Sequence, residues 1–450
     1  MRALGIWFPC VRRMTDQRDP QQKNPRVSSG QRGSGRFRRL LFYLGMLGPG
    51  LIAAIAGDDA GGVATYATAG ASYGYQFLWT LLVITVSLCL VQEMSTRLGA
   101  VTGQGLADLI RERFGIRWTA VSVIALLVAN GALVVSEFAG VAAATELLGV
   151  SRYLSVPLAA VAIWILVVWG SYHRVEKVFL VMTLAFLAYP ITVFSIRPDW
   201  AEIGRQVVSP RITLDSAYLT TLVAFVGTTM TPYMQIYAQS AVAEKGVDLE
   251  HYGWERLDAY LGAILSDVFT FFIIVTTAVV LFPQGIQIET AADAAKALAP
   301  LAGQWASTVF ALGLLGASML AAGVLPLSTA YPVSEALGME RGVSRTFREA
   351  PFFMGIFTGL IIIGAGITLL PGLPLIPLLI LAQVINGVLL PIVLISIVRL
   401  AGDRSVMGSY ANGRLYGFLG WLTVVTVSIL SILMVVSSIL GIFGVQLGGG

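Results

Sequence analysis

The chain has 450 residues, of which 56% are hydrophobic and only 12% charged, and its mean hydropathy is +0.79. Soluble domains carry about 25% charged residues, so this balance excludes an ordinary cytosolic enzyme, a disordered scaffold and a fibre. Two cysteines, Cys10 and Cys89, set no disulfide framework, and two histidines, His173 and His251, form no HExxH pair; both facts argue against a zinc enzyme.

The first 39 residues are polar and rich in arginine, from Arg12 and Arg13 to Arg38 and Arg39. They read as a disordered basic tail, 1–39. Eleven apolar runs follow, at 41–69, 76–98, 118–148, 153–171, 177–196, 216–240, 259–282, 304–331, 351–370, 374–399 and 415–445. A membrane-spanning helix needs about 20 such residues. The tail and alternate connections hold 24 of the 29 Lys and Arg. Positive charge marks the cytoplasmic side of a membrane. The expectation is therefore an all-α integral membrane protein with eleven transmembrane helices, in the plasma or inner membrane. Its N-terminus is cytoplasmic and its C-terminus extracytoplasmic. The net charge of +4 is then a topology signal. No nucleic acid partner and no obligate protein partner is implied; the partners are the lipid bilayer and the cargo.

The first run contains Gly57-Asp58-Asp59-Ala60-Gly61-Gly62 near its middle. An acid at mid-membrane costs roughly 2.5–3.5 kcal/mol on insertion scales, and flanking glycines ease departure from the helix. A helix unwound around an acid in a cavity accounts for both. The alternative reading of Asp59 is a cap on the broken helix. The sixth run reads Gly227-Thr228-Thr229-Met230-Thr231-Pro232-Tyr233. Pro232 removes one backbone donor and clashes with the carbonyl of Thr228. Five spans separate the two interruptions, so the second unit is inverted relative to the first. Matched interruptions in two inverted halves point to the midplane site of a secondary transporter. The repeats are 40–196 (helices 1–5) and 216–400 (helices 6–10), with 415–445 as an additional helix 11.

The run Gly48-Pro49-Gly50-Leu51-Ile52, then Asp59-Ala60-Gly61-Gly62, Ala69-Gly70-Ala71 and Gly74-Tyr75-Gln76 resembles the first helix of the Nramp divalent-metal transporters, which carries Asp-Pro-Gly-Asn. The sixth helix of that family carries Met-Pro-His, aligning with Thr231-Pro232-Tyr233, and its tenth-helix Gln aligns with Gln383. The resemblance covers nearly the whole chain beyond the tail and implies a LeuT-like fold of 5+5 inverted repeats with helices 1 and 6 unwound. It also implies a metal site of Asp59, Gly62, Thr228, Thr231 and Gln383. Asp58, Tyr233, Gln235 and Glu137 would lie along the metal path or behind the ligands. The departures matter. Ala60 stands for Pro, Gly62 for the Asn ligand, Thr231 for the Met ligand and Tyr233 for the His. Glu137 falls where the family has Asp, Gly140 where it has a proton-accepting Glu, and Asn130 at another acidic position. This pattern is similar to the Nramp-related magnesium transporters of prokaryotes.

The chemistry agrees with that branch. Thioether sulfur favours transition metals, whereas oxygen ligands suit Mg²⁺, which keeps several of its waters. The expected function is import of Mg²⁺, and also Mn²⁺, as a partly hydrated ion by alternating access without proton coupling. No cofactor is expected, and no enzymatic activity. A proton-coupled Mn²⁺ or Fe²⁺ carrier is the main alternative; a sodium-coupled amino-acid symporter and an intramembrane aspartyl protease are weaker ones. Among other polar residues, Glu93 and Arg97 read as an i,i+4 ion pair. Asp267 is a buried acid open to a functional or structural role, and Asn386 and Glu146 have no assigned role.

Overall fold

The computed structural model describes residues 59–168, 178–179, 181–213, 215–245, 252–340 and 347–442. The basic tail, Gly48-Pro49-Gly50, Asp58, His173 and His251 lie outside the described residues. What is described contains helices and no strands, as lipid requires of a chain that must satisfy its backbone internally.

The helices in chain order are α1 (Ala60–Tyr73), α2 (Leu78–Thr102), α3 (Leu106–Leu147), α4 (Arg152–Val168), α5 (Val181–Ile196), α6 (Trp200–Val207), α7 (Ser216–Thr229), α8 (Pro232–Lys245), α9 (Tyr252–Val280), α10 (Ala306–Ala336), α11 (Pro351–Thr368), α12 (Leu375–Gly402) and α13 (Arg414–Ile442). Each of the eleven apolar runs holds helix. By length and apolarity, seven described helical segments qualify as membrane spans. An eighth counts if α5 and α6, bent by 117°, form one.

Three elements depart from the sequence expectation. Helix α3 begins at Leu106, well before the run that starts at 118, and its backbone breaks at Gly115 (φ 76°, ψ 172°). The early turns bury Leu106, Leu109 and Ile110 and expose Arg111, Glu112 and Arg113. Such an amphipathic segment is invisible to a search for continuous apolarity. The positive φ at Gly115 suits glycine alone. Helix α6 was expected as a connection. Asp199 starts it by accepting from the amides of Ala201 and Glu202, and only Ile203 is buried. Short helical turns also fill 291–305, opened by a capping box between Thr290 and Asp293.

Two helix groups surround the site. In one, α1, α2, α8 and α9 pack together. In the other, α3 runs against α10 and α11. Helix α12 bridges them, touching α1, α3 and α7, with α13 laid on its outer side. Pro391 inside α12 cannot donate to the carbonyl four residues earlier, that of Gly387. Ser431 Oγ of α13 donates to this oxygen at 2.9 Å instead.

The Glu93–Arg97 pair forms at 3.3 Å and belongs to a wider seam. Tyr252 OH donates to Glu93 Oε1 at 2.7 Å, and Arg97 donates to the Tyr410 carbonyl and to Asn412 Oδ1. Glu146, unassigned from sequence, pairs with Arg152 at 2.5 Å.

Candidate functional site

Asp59 is the residue that starts α1. Its backbone is extended (φ −66°, ψ 170°), and its Oδ1 accepts from the amide of Gly62 at 2.5 Å. The capping alternative is thus part of the geometry. It does not exhaust the carboxylate. Gln383 of α12 reaches across and donates through Nε2 to Oδ1 at 3.0 Å and to Oδ2 at 3.1 Å. Three donated bonds on two oxygens leave acceptor capacity, since a carboxylate offers about four lone-pair sites. Asp59 is buried and has no ion-pair partner among the described residues.

The break in the sixth run lies where Pro232 and its neighbours place it. Helix α7 ends at Thr229. Met230 leaves helical geometry (φ −118°, ψ 60°), Thr231 is non-helical, and α8 starts at Pro232. The last carbonyls of a helix lack intrahelical donors and carry the negative end of its dipole. Two side-chain relations bring this end to α1. Tyr66 OH and Thr229 Oγ1 are hydrogen-bonded at 3.1 Å. A β-carbon added to Gly62 would stand 2.9 Å from Thr228 Oγ1 and 3.1 Å from Asp59 Oδ1. Asp59, Gly62, Thr228 and Gln383 are therefore assembled from three helices.

Thr231 follows on the break itself. Its hydroxyl is buried without a hydrogen-bond partner, and so is the whole carboxamide of Gln235 one turn further on. Buried polar atoms are nearly always paired, so these orphans mark places where water or an ion completes the structure. Tyr233 is half-buried and packs against the hydrophobic core. The sulfur-bearing neighbour, Met230, is fully buried in that same core.

Glu137 of α3 is fully buried, and its carboxyl lies against the Ala60 backbone amide and beside Asp59. Asp267 instead sits on α9 near Thr85 and Cys89 of α2. Asn130 donates to Thr329 Oγ1 of α10 at 2.8 Å.

Sequence reasoning missed three contributors. Tyr66 ties α1 to α7, and its signal was a polar atom two turns after Asp59 in an apolar run. Ser136 Oγ lies within 2.9 Å of where a Gly61 β-carbon would stand. Asn386 Nδ2 donates to Gln383 Oε1 at 3.4 Å, an i,i+3 relation readable once Gln383 is singled out.

In chemical terms the cluster gathers one carboxylate, hydroxyls and a carboxamide beside the end of α7, groups whose oxygens are hard donors suited to a cation such as Mg²⁺.

Comparison with known proteins agrees in architecture. The pattern of the Nramp family, described as natural resistance-associated macrophage protein-like, matches residues 50–437. The divalent metal cation transporter MntH of Deinococcus radiodurans is 28% identical over 431 residues, covering 91% of this chain and 94% of that protein. MntH of Ralstonia nicotianae is 28% identical over 415 residues, covering 86% and 88%. The crystal structure of the Eremococcus coleocola manganese transporter, in complex with an aromatic bis-isothiourea substituted compound, superposes with a TM-score of 0.73 at 21% identity. It covers 92% of this chain and 90% of that one. MhsT in complex with L-phenylalanine superposes at 0.55 with 14% identity, over 86% and 97%. These likenesses establish the fold as that of Nramp and LeuT-like transporters.

Proposed function

The chain belongs to the Nramp family, and from that membership we propose that it carries divalent metal ions across a membrane, with Mg²⁺ as the favoured ion and Mn²⁺ as a second. The observation that carries this reading is the buried Asp59 carboxylate, held by Gln383 and approached across Gly62 by the Thr228 hydroxyl, with the buried, unpartnered Thr231 hydroxyl on the neighbouring break. Asp59, Thr228, Thr231 and Gln383 are the proposed ligands, directly or through retained water, and Gly62 leaves the room. Asp58, Tyr233 and Gln235 belong to the path. Glu137 shapes the field behind the ion.

Alternating access in this reading moves the group of α1, α2, α8 and α9 against the group of α3, α10 and α11, each drawn from both inverted repeats, 40–196 (helices 1–5) and 216–400 (helices 6–10). The N-terminus is cytoplasmic. An inside-negative potential then drives entry, giving a divalent ion about 4.6 kcal/mol per 100 mV. Proton symport needs a group that exchanges its proton near the ion. The family's His and Glu positions hold Tyr233 and Gly140 here, which supports uncoupled transport.

The second reading is a proton-coupled Mn²⁺ or Fe²⁺ carrier. It draws on the relatives' manganese and divalent-metal names and on the buried Glu137 carboxyl. Uptake of Mg²⁺, Mn²⁺ and Ca²⁺ into liposomes carrying an internal pH probe separates the two. Mg²⁺ uptake without acidification supports the first. Mn²⁺ uptake with acidification and no Mg²⁺ uptake replaces it with the second.

A further inference from the structure

The Gln383 carboxamide is turned the wrong way for a cation. Its Nε2 faces both oxygens of Asp59, and its Oε1 faces Asn386. An ionised carboxylate only accepts, so it is the N–H end of the Gln383 amide that meets Asp59. A divalent cation takes oxygen ligands and has no use for an N–H. For Gln383 to serve a bound ion, its amide must turn over and present Oε1 toward Asp59. The nitrogen then points where the oxygen was, toward Asn386.

Asn386 is fully buried on α12, one turn beyond Gln383. Its Nδ2 is engaged, but its Oδ1 has no hydrogen-bond partner. An orphaned buried acceptor is unusual. Here it supplies what the second arrangement lacks. If Asn386 rotates its own amide, Oδ1 accepts from the reversed Gln383 Nε2. The surroundings give Gln383 little other freedom. A β-carbon on Gly61 would fall on its Nε2, and one on Gly227 would fall on its backbone carbonyl.

We propose that Asn386 is a positioning residue for ion binding, donating to Gln383 when the site is empty and accepting from it when the site is filled. The amide pair is a two-position device that lets Gln383 change from donor to ligand while its own buried N–H keeps an acceptor. This rests on the reading of Asp59 and Gln383 as ion ligands.

The test is calorimetric titration of the full-length, detergent-solubilised protein with Mg²⁺ and with Mn²⁺. Asp59→Ala checks the underlying reading first and should abolish binding. Wild-type affinity in that variant would overturn both the site and the amide pair. With the site upheld, Asn386→Leu should weaken Kd by about tenfold or more, the effect of one stranded buried donor. Asn386→Thr, whose hydroxyl donates or accepts, should stay within about threefold. In a Gln383→Leu background, Asn386→Leu should add no further loss, since its effect runs through the amide. Three results would overturn the inference alone: wild-type affinity in Asn386→Leu, equal losses in the Leu and Thr variants, or an undiminished loss in the Gln383→Leu background. If Asn386→Leu fails to fold, Asn386→Asp carries the test. It can only accept while ionised, so it should favour the reversed amide and tighten binding. That gain should vanish with Gln383→Leu, and its persistence there would overturn the inference.

Discussion

Gly140 lies so close to Ala60 that a β-carbon on the glycine would stand 2.5 Å from the alanine methyl and would also strike Ser318 Oγ. Helix α3 thus crosses the first turn of α1 at contact distance, with α10 closing the third side. By the resemblance drawn from the sequence, Gly140 falls where the Nramp family keeps a glutamate. Restoring that acid here meets both overpacking and an unpaired buried charge. Gly140→Ala should cost about 1–3 kcal/mol, and Gly140→Glu more, read as a falling thermal midpoint in detergent. A Gly140→Glu protein as stable as wild type would mean that the three helices are not closed against one another.

Asp59 both caps α1 and, in the proposed reading, binds the ion. Substitution can separate these roles. Asparagine is as good a cap as aspartate, so Asp59→Asn should retain stability while losing uptake. Asp59→Ala should lose uptake and also about 1 kcal/mol of stability. Unimpaired uptake by a correctly inserted Asp59→Asn protein would place the ion elsewhere.

Thr231→Met introduces a soft ligand at the break between α7 and α8. Competition uptake should then shift toward Mn²⁺ over Mg²⁺ by about tenfold, a change of roughly 1.4 kcal/mol. Adding Gly62→Asn should extend the shift. It requires the Thr228 hydroxyl to rotate, because the new β-carbon would stand 2.9 Å from it. An unchanged ratio in both variants removes the case for the ligand assignment.

Proton coupling is tested at fixed inside-negative potential. Mg²⁺ uptake should proceed without acidification of the liposome interior and should ignore an imposed pH gradient. Acidification that tracks uptake and disappears in Glu137→Gln would restore the proton-coupled reading.

The seam at Arg97 predicts a stability effect. Arg97→Met leaves the buried Glu93 carboxylate with Tyr252 alone and removes the donor to Asn412 Oδ1 and to the Tyr410 carbonyl. The expected loss is about 2 kcal/mol or more, seen in the unfolding midpoint. An unshifted midpoint would show the seam to be energetically neutral.

How much of this was legible in the sequence follows from the range of the interactions. Each apolar run contains helix because lipid leaves the backbone few other ways to pair. Pro232, directly after Gly-Thr-Thr-Met-Thr, foretold the break at Met230–Thr231, since proline acts on its own local geometry. Amphipathic pieces were lost: the start of α3 and all of α6 alternate apolar with charged residues and never form a run. The Gln383–Asp59 contact spans 324 positions. Local pattern does not encode which face of α12 turns toward α1; that Gln was singled out by resemblance. Asn386 had no assignment because its significance depends on which end of the Gln383 amide faces it, a matter of side-chain rotation. The metal ligands and the repeat boundaries remain proposals resting on that resemblance and on the geometry around Asp59.

The bond from Ser431 to the Gly387 carbonyl gives the last helix a structural duty. Pro391 opens a gap in the ladder of α12 one turn beyond the residues that hold Asp59, and the hydroxyl that fills it comes from a different helix. Helix α13 therefore completes α12 as well as lying against it. A chain shortened before Arg414 would expose this carbonyl to hydrocarbon at the level of the Gln383–Asn386 pair. Any sliding of α12 relative to its neighbours during transport must either carry α13 along or break this bond, so the two should travel as one body.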